Sequence, residues 1–214
     1  MSAPAAADRA AGLRHALALE YATIAWMIVE AGVSIYAGIA ARSVSMTAFG
    51  LDSVVEIMSA GALLWRLRWE AGHECADDED EHHHARIELA TSRVVAVLLG
   101  VLCVYVVAQA AVKLLHGESE GFSALGLLVT ALAIPIMIGL SASKRRLADR
   151  LGSGALRADA AQGVACWYLA VVVIVGMLAQ RLLGLWWIDG VASLAIVFFL
   201  AREAREAWEG RGCC

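Results

Sequence analysis

Two carboxylic acids lie inside an otherwise apolar segment. Asp52 and Glu56 occur in the run Phe49-Gly-Leu-Asp-Ser-Val-Val-Glu-Ile57, and residues four apart share one face of a helix. Two negative charges at this short distance repel each other in a low dielectric, so at least one carboxyl is expected to keep its proton. A divalent cation would remove this conflict and take both groups as ligands. The alternative is a pair of protonated carboxyls that hydrogen-bond to neighbouring helices.

A second polar pair, Gln162 and Cys166, has the same spacing of four in another apolar segment. A cysteine sulfur is a soft ligand suited to zinc, cadmium or cobalt, and the glutamine amide offers a weaker carbonyl oxygen. Taken alone, Cys166 is typical of a small hydrophobic filler. Spacing does not establish that this pair faces Asp52 and Glu56.

Two more acids, Glu30 and Asp159, are predicted as accessory metal ligands or proton relays. A charge at the bilayer centre costs about 2.5–3.5 kcal/mol, so an acid retained there is expected to have a specific role. Glu30 could instead bond a neighbouring hydroxyl. Glu20, nearer the end of its segment, is expected to be solvated, and Asp189 is expected to cap the last helix.

A hydrophilic run, Cys75-Ala-Asp-Asp-Glu-Asp-Glu-His-His-His84, combines carboxylates, imidazoles and a thiol. It could capture metal weakly through Cys75, His82, His83 and His84, or be a solvated acidic loop. The terminal Cys213-Cys214 pair could bind soft metal or be inert. The histidines all lie in loops or near the ends of segments, which disfavours a haem protein with two intramembrane imidazole ligands.

These residues must be positioned by helices in lipid. Of the 214 residues, 60% are hydrophobic and 18% are charged, more apolar than a soluble domain. Because about 20 helical residues cross a bilayer, the apolar runs predict an all-α bundle of six transmembrane helices. The predicted spans are 16–40, 44–66, 89–114, 122–143, 157–182 and 186–203.

The basic residues predict the orientation of the bundle. All but Arg42, Lys113 and Arg181 of the 17 Lys and Arg residues fall on one predicted side, and this side is normally cytoplasmic. We therefore expect both termini in the cytoplasm and the protein in the cell membrane. The domain prediction is an N-terminal tail at 1–14, a transmembrane domain at 15–209 with a cytoplasmic acidic and histidine-bearing loop at 67–88, and a tail at 210–214.

The segment from Ser43 to Ile57 resembles the second span of the cation diffusion facilitator family, where two acids are separated by three residues. Ala158-Asp-Ala-Ala-Gln-Gly-Val-Ala-Cys166 resembles the fifth span, and Trp187–Ile196 the sixth. The resemblance covers roughly residues 15–209. It implies a homodimeric exporter of divalent metals, commonly zinc, that is driven by inward proton flow.

Carried over by position, the resemblance implies metal ligands at Asp52, Glu56, Gln162 and Cys166. Glu56 stands where the family usually has Asp, and Gln162 and Cys166 stand where it has His and Asp. The sequence is also expected to be a short form without the family's cytoplasmic C-terminal domain. A site that includes a cysteine still suits zinc.

The function predicted from these observations is efflux of a divalent metal, Zn²⁺ first and Cd²⁺, Co²⁺, Fe²⁺ or Mn²⁺ as alternatives, by proton antiport. The expected partners are metal ions, protons, membrane lipid and a second copy of the chain. Neither an enzymatic activity, an organic cofactor nor nucleic acid binding is expected. The alternative function is a membrane metal sensor or scaffold that does not transport, and a third class is an intramembrane redox enzyme that cycles Cys103 or Cys166.

Overall fold

A computed structural model describes residues 3–72, 78–116, 121–184 and 187–209. All regular structure in these ranges is helical, which confirms the predicted all-α fold. The six helices are α1 (Ala3–Ala41), α2 (Val44–Gly72), α3 (Asp78–His116), α4 (Ala124–Leu151), α5 (Gly154–Leu183) and α6 (Ile188–Trp208).

In the part of the chain that the structure describes, five helices contain a segment that is long and apolar enough to cross a membrane. These segments are Ala11–Ala41, Val44–Trp65, Arg93–Val112, Ala124–Leu151 and Leu156–Leu183. The sixth helix is shorter, and it becomes charged from Arg202 onward. The protein is therefore a multi-pass membrane protein.

The helices extend beyond the predicted spans and correct two predicted connections. The loop predicted at 67–88 is largely helical, because α2 continues to Gly72 and α3 already begins at Asp78. The acidic residues that suggested a loop stand in the first turn of α3, where negative charge suits the helix N-terminus. Likewise, α1 begins at Ala3, within the predicted tail 1–14.

The basic connection predicted at residues 144–156 is reduced to two residues. Gly152 ends α4 in the left-handed conformation, with φ of 65°, which glycine adopts without a Cβ penalty. Ser153 then caps α5, where its Oγ accepts a hydrogen bond from Leu156 N at 3.3 Å. Lys144, predicted to lie in this connection, is instead inside α4 and buried.

The most connected helix is α2. Neighbours around the bundle run in the order α1, α4, α5, α6, α3 and α2, and α2 closes this ring against α1. In addition, α2 packs against α5 and α6 across the middle. The two helices that carry the predicted metal ligands, α2 and α5, therefore meet inside the bundle.

A small residue lets α1 and α2 pack closely. Gly50 lies against the α1 backbone, and a Cβ built there would be only 2.8 Å from Ile35 N. Glycine at such a position lets helix backbones approach, which is a common source of helix association in lipid. This contact fixes the α2 segment that contains Asp52 against α1.

Asp189 lies in the first turn of α6, where an acid was expected, and it also joins α6 to α2. Its carboxylate accepts hydrogen bonds from Ser43 Oγ at 2.8 Å, Val44 N at 3.0 Å, Ser45 N at 3.3 Å and Ser45 Oγ. The free N–H groups at the start of α2 need such an acceptor. The acid thus caps α2, a partner far away in the sequence.

Candidate metal-binding site

The acidic pair of α2 is buried as predicted. Asp52 is 1% exposed and Glu56 is 3% exposed. Within the described residues, Asp52 Oδ1 and both carboxyl oxygens of Glu56 have no hydrogen-bond partner. Buried polar atoms normally find a partner, so these three oxygens are available for an ion that the bundle would bind.

Gln162 of α5 contacts α2 beside this pair. Ser59 Oγ, one turn beyond Glu56, donates a hydrogen bond to Gln162 Oε1 at 3.1 Å. Residues three apart on a helix share a face, so the glutamine lies on the side of α2 that carries Glu56. This contact shows that α2 and α5 are neighbours, which the residue spacing alone could not establish.

Cys166 is buried one turn along α5 and bonds to a residue of α1. Its Sγ donates to Glu30 Oε1 at 3.4 Å. The same carboxyl accepts hydrogen bonds from Ser53 Oγ at 2.8 Å and from Trp26 Nε1 at 2.6 Å. Three donors thus hold Glu30 between α1, α2 and α5, next to the predicted metal ligand of α5.

Asp159, predicted as an accessory ligand, lies in a different cluster. Lys144 Nζ bonds to Asp159 Oδ2 and lies 3.0 Å from Glu20 Oε1. Glu20 is 0% exposed, so the prediction that it is solvated is wrong. The cause is tertiary, because α4 places its lysine between α1 and α5 and supplies the counter-charge that burial of the two acids requires.

A small cavity connects the two clusters. It is lined by Glu56 and Gln162 on one side and by Ser141, Lys144 and Asp159 on the other, together with five further residues. Within the described residues, the buried Ser141 Oγ has no hydrogen-bond partner. The cavity has room for about one water molecule and lies between the α4–α5 charge cluster and the α2 acids.

Glu203 of α6 is a site residue that the sequence analysis missed. Its carboxyl hydrogen-bonds with the Gln162 side chain, and its charge bears on Asp52 and Glu56. A signal was present in the sequence, because Glu203 follows Ile196 by seven residues and Leu200 by three. Both of these are fully buried, and this spacing defines one helix face.

The side chains do not form a closed metal site in this conformation. Among the described residues, no three His, Cys, Asp or Glu side chains converge closely enough to hold an ion. Of the predicted outer ligands, Cys75 lies outside the described residues, as do Cys213 and Cys214. At His82, His83 and His84 the structure describes only the backbone of α3.

The fold and the site together define a membrane helix bundle with acids buried between its packed helices. Residues 21–209 match the family model of the cation efflux transmembrane domain. The chain therefore belongs to the cation efflux, or cation diffusion facilitator, family, as its resemblance indicated. The match covers the transmembrane domain of that family.

A relative with a stated activity is the manganese efflux system protein MneS of Bacillus subtilis (strain 168). The two sequences are 24% identical over 187 residues, which cover 87% of this chain and 63% of the relative. The chain thus spans less than two thirds of that protein's length.

Proposed function

We propose that this protein exports a divalent metal ion in exchange for protons and binds the metal between α2 and α5. The observation that carries the proposal is the Asp52–Glu56 pair, which is buried on the central helix with carboxyl oxygens unpartnered among the described residues. Burying three carboxyl oxygens without hydrogen-bond partners is costly, and binding of a dication would offset that cost.

The proposed ligands are Asp52, Glu56, Gln162 and Cys166. Their helices already meet, as the Ser59–Gln162 hydrogen bond shows, but Cys166 is bonded to Glu30 in this conformation. Metal binding therefore requires the thiol to leave Glu30 and turn toward the α2 acids. Glu30 is then free to accept the proton that Cys166 loses when it coordinates metal.

Proton exchange follows from the same chemistry. Carboxylates and a thiolate bind metal only when deprotonated, so a high proton concentration on the receiving side favours release. The asymmetry of the basic residues supports cytoplasmic termini in the cell membrane. Inward flow of protons would then drive the metal outward. Assembly as a homodimer remains a prediction, to be checked by light scattering of the purified protein.

The ligand set supports Zn²⁺ as one substrate and Mn²⁺ as another. The sulfur of Cys166 favours zinc, whereas the carboxyl and amide oxygens suit manganese, a harder ion. The relative from Bacillus subtilis is named as a manganese efflux protein, which supports testing manganese with equal weight.

The test is metal flux in proteoliposomes with an imposed pH gradient, measured for Zn²⁺ and Mn²⁺ in parallel. We expect gradient-dependent flux of at least one metal, and Asp52→Asn should reduce it below about a tenth of the wild-type rate. Asp149→Asn, at an exposed ion pair with Arg157, is the matched control. Equal flux in the wild type and Asp52→Asn would overturn the proposal, and metal binding without any flux would support a sensor or scaffold instead.

A further inference from the structure

The buried charge cluster of Glu20, Lys144 and Asp159 is distinct from the proposed metal site and has no part in the mechanism above. Two carboxyls from α1 and α5 face one ammonium from α4. Lys144 is 2% exposed. Such a cluster is expensive to bury and is seldom retained for stability alone.

The arrangement has the features of a cation site that is already filled. The ammonium of Lys144 lies between carboxyl oxygens of Glu20 and Asp159, where a metal ion would also be attracted. A lysine side chain is a point charge on a flexible four-carbon stem, so it can withdraw without moving the helix. Aspartate and glutamate oxygens are suitable ligands for a hard or borderline dication.

A second observation indicates that the cluster is placed to receive a ligand. The cavity lined by Lys144 and Asp159 is also lined by Ser141 and Glu56. Both are more than nine-tenths buried, and their Ser141 Oγ and Glu56 carboxyl oxygens lack hydrogen-bond partners within the described residues. Residues with unpartnered oxygens thus line a small cavity between this cluster and the α2 acids, where a cation would find ligands.

We propose that Glu20 and Asp159 form a second cation site, here called the vestibule site, which Lys144 occupies as an internal cation until a divalent metal displaces it. The direction in which the metal moves through this site rests on the proposed transport function. The metal would exchange with the ammonium at the vestibule site, pass Ser141, and reach the α2–α5 site at Glu56. After the metal has passed, the Lys144 ammonium returns to the carboxyls of Glu20 and Asp159 and closes the route.

The binding test is made on the purified full chain carrying Asp52→Asn and Glu56→Gln, so that the α2 acids do not contribute. Zn²⁺ and Mn²⁺ bound at equilibrium are measured by dialysis and elemental analysis. Lys144→Met should gain about one bound metal per chain, because it uncovers the two carboxyls. Lys144→Arg, which keeps a cation in place, should gain none, and adding Asp159→Asn to Lys144→Met should abolish the gain.

Circular dichroism shows whether each variant is folded. If folded Lys144→Met binds no more metal than Lys144→Arg, the vestibule site does not exist. This readout needs no transport, so it is independent of the flux test of the proposed function.

A second measurement covers the case in which Lys144→Met does not fold. Asp159→Asn leaves Lys144 its partner Glu20, and it should raise the KM for metal flux roughly tenfold with kcat changed far less. Asp159→Glu should restore the wild-type KM. An unchanged KM in Asp159→Asn, or a fall in kcat alone, would identify the cluster as structural and overturn the proposal.

Discussion

The thiol of Cys166 lies 3.4 Å from Oε1 of Glu30, and this hydrogen bond joins α5 to α1. The sequence separates the two residues by more than half of the chain, yet both were expected near a metal. Their contact means that in this conformation the sulfur is engaged with a carboxyl of its own protein. A metal that binds Cys166 must compete with Glu30.

Replacing Cys166 by Ser should change metal preference more than it changes total flux. A hydroxyl keeps a donor for Glu30 but removes the soft sulfur ligand, so Zn²⁺ and Cd²⁺ affinity should fall roughly tenfold or more and Mn²⁺ affinity should change little. Isothermal titration with each metal measures this. Cys103→Ser, at a partly buried cysteine of α3, is the control, and equal losses for all three metals would contradict a ligand role for the sulfur.

Glu203→Gln should slow metal flux, whereas Glu206→Gln should not. Glu203 bears on the α2 acids and Gln162, so its loss removes negative charge near the proposed site. Glu206 is exposed and pairs with Arg202 on the outer face of the same helix, where an ion pair contributes little. The initial rates of metal flux of both variants in proteoliposomes test this prediction. Equal rates would exclude Glu203 from the site.

Asp189→Ala should destabilise the bundle. The change removes the acceptor of two backbone N–H groups and two hydroxyls at the start of α2. Loss of a buried, charge-assisted cap of this kind costs about 1–3 kcal/mol. Thermal unfolding in detergent should show a lower Tm than that of Asp149→Ala, whose carboxyl is exposed. If the two variants melt together, the cap is energetically unimportant.

Gly50→Ala should disrupt the packing of α1 on α2, while Gly61→Ala should be tolerated. A methyl group at Gly50 would meet the Ile35 backbone at 2.8 Å, and at Gly61 nothing described lies within 4 Å. Overpacking of this kind costs about 1–3 kcal/mol, whereas alanine at an open helical position is favourable. The yield of folded protein and its Tm separate the two variants, and similar values would disprove the close contact.

The sequence predicted the helices and the acids of α2 well, because both depend on local patterns. Long apolar runs mark helices in lipid, and acids inside them are rare enough to stand out. The helix ends were harder. Charged residues at 78–84 and 144–151 were interpreted as loops, although helices in this fold extend beyond the apolar segments.

The side-chain partners of the acids could not be predicted from one sequence. Lys144 looked like an ordinary basic residue near a helix end, and only the packing of α1 and α5 around α4 explains its burial. Asp189 was expected at the start of its own helix and lies there, but its bonds to the start of α2 were not predicted. Both sets of contacts join residues far apart in the chain.

The bonds from Asp189 to the first turn of α2 couple two helices mechanically. While these bonds persist, α6 follows any displacement of α2 as part of one rigid body. Asp52 and Glu56 on one helix and Glu203 on the other would then travel together as a single acidic surface. Relative sliding would then occur at the contacts of this pair with the other helices, which include the Ser53–Glu30 hydrogen bond between α2 and α1.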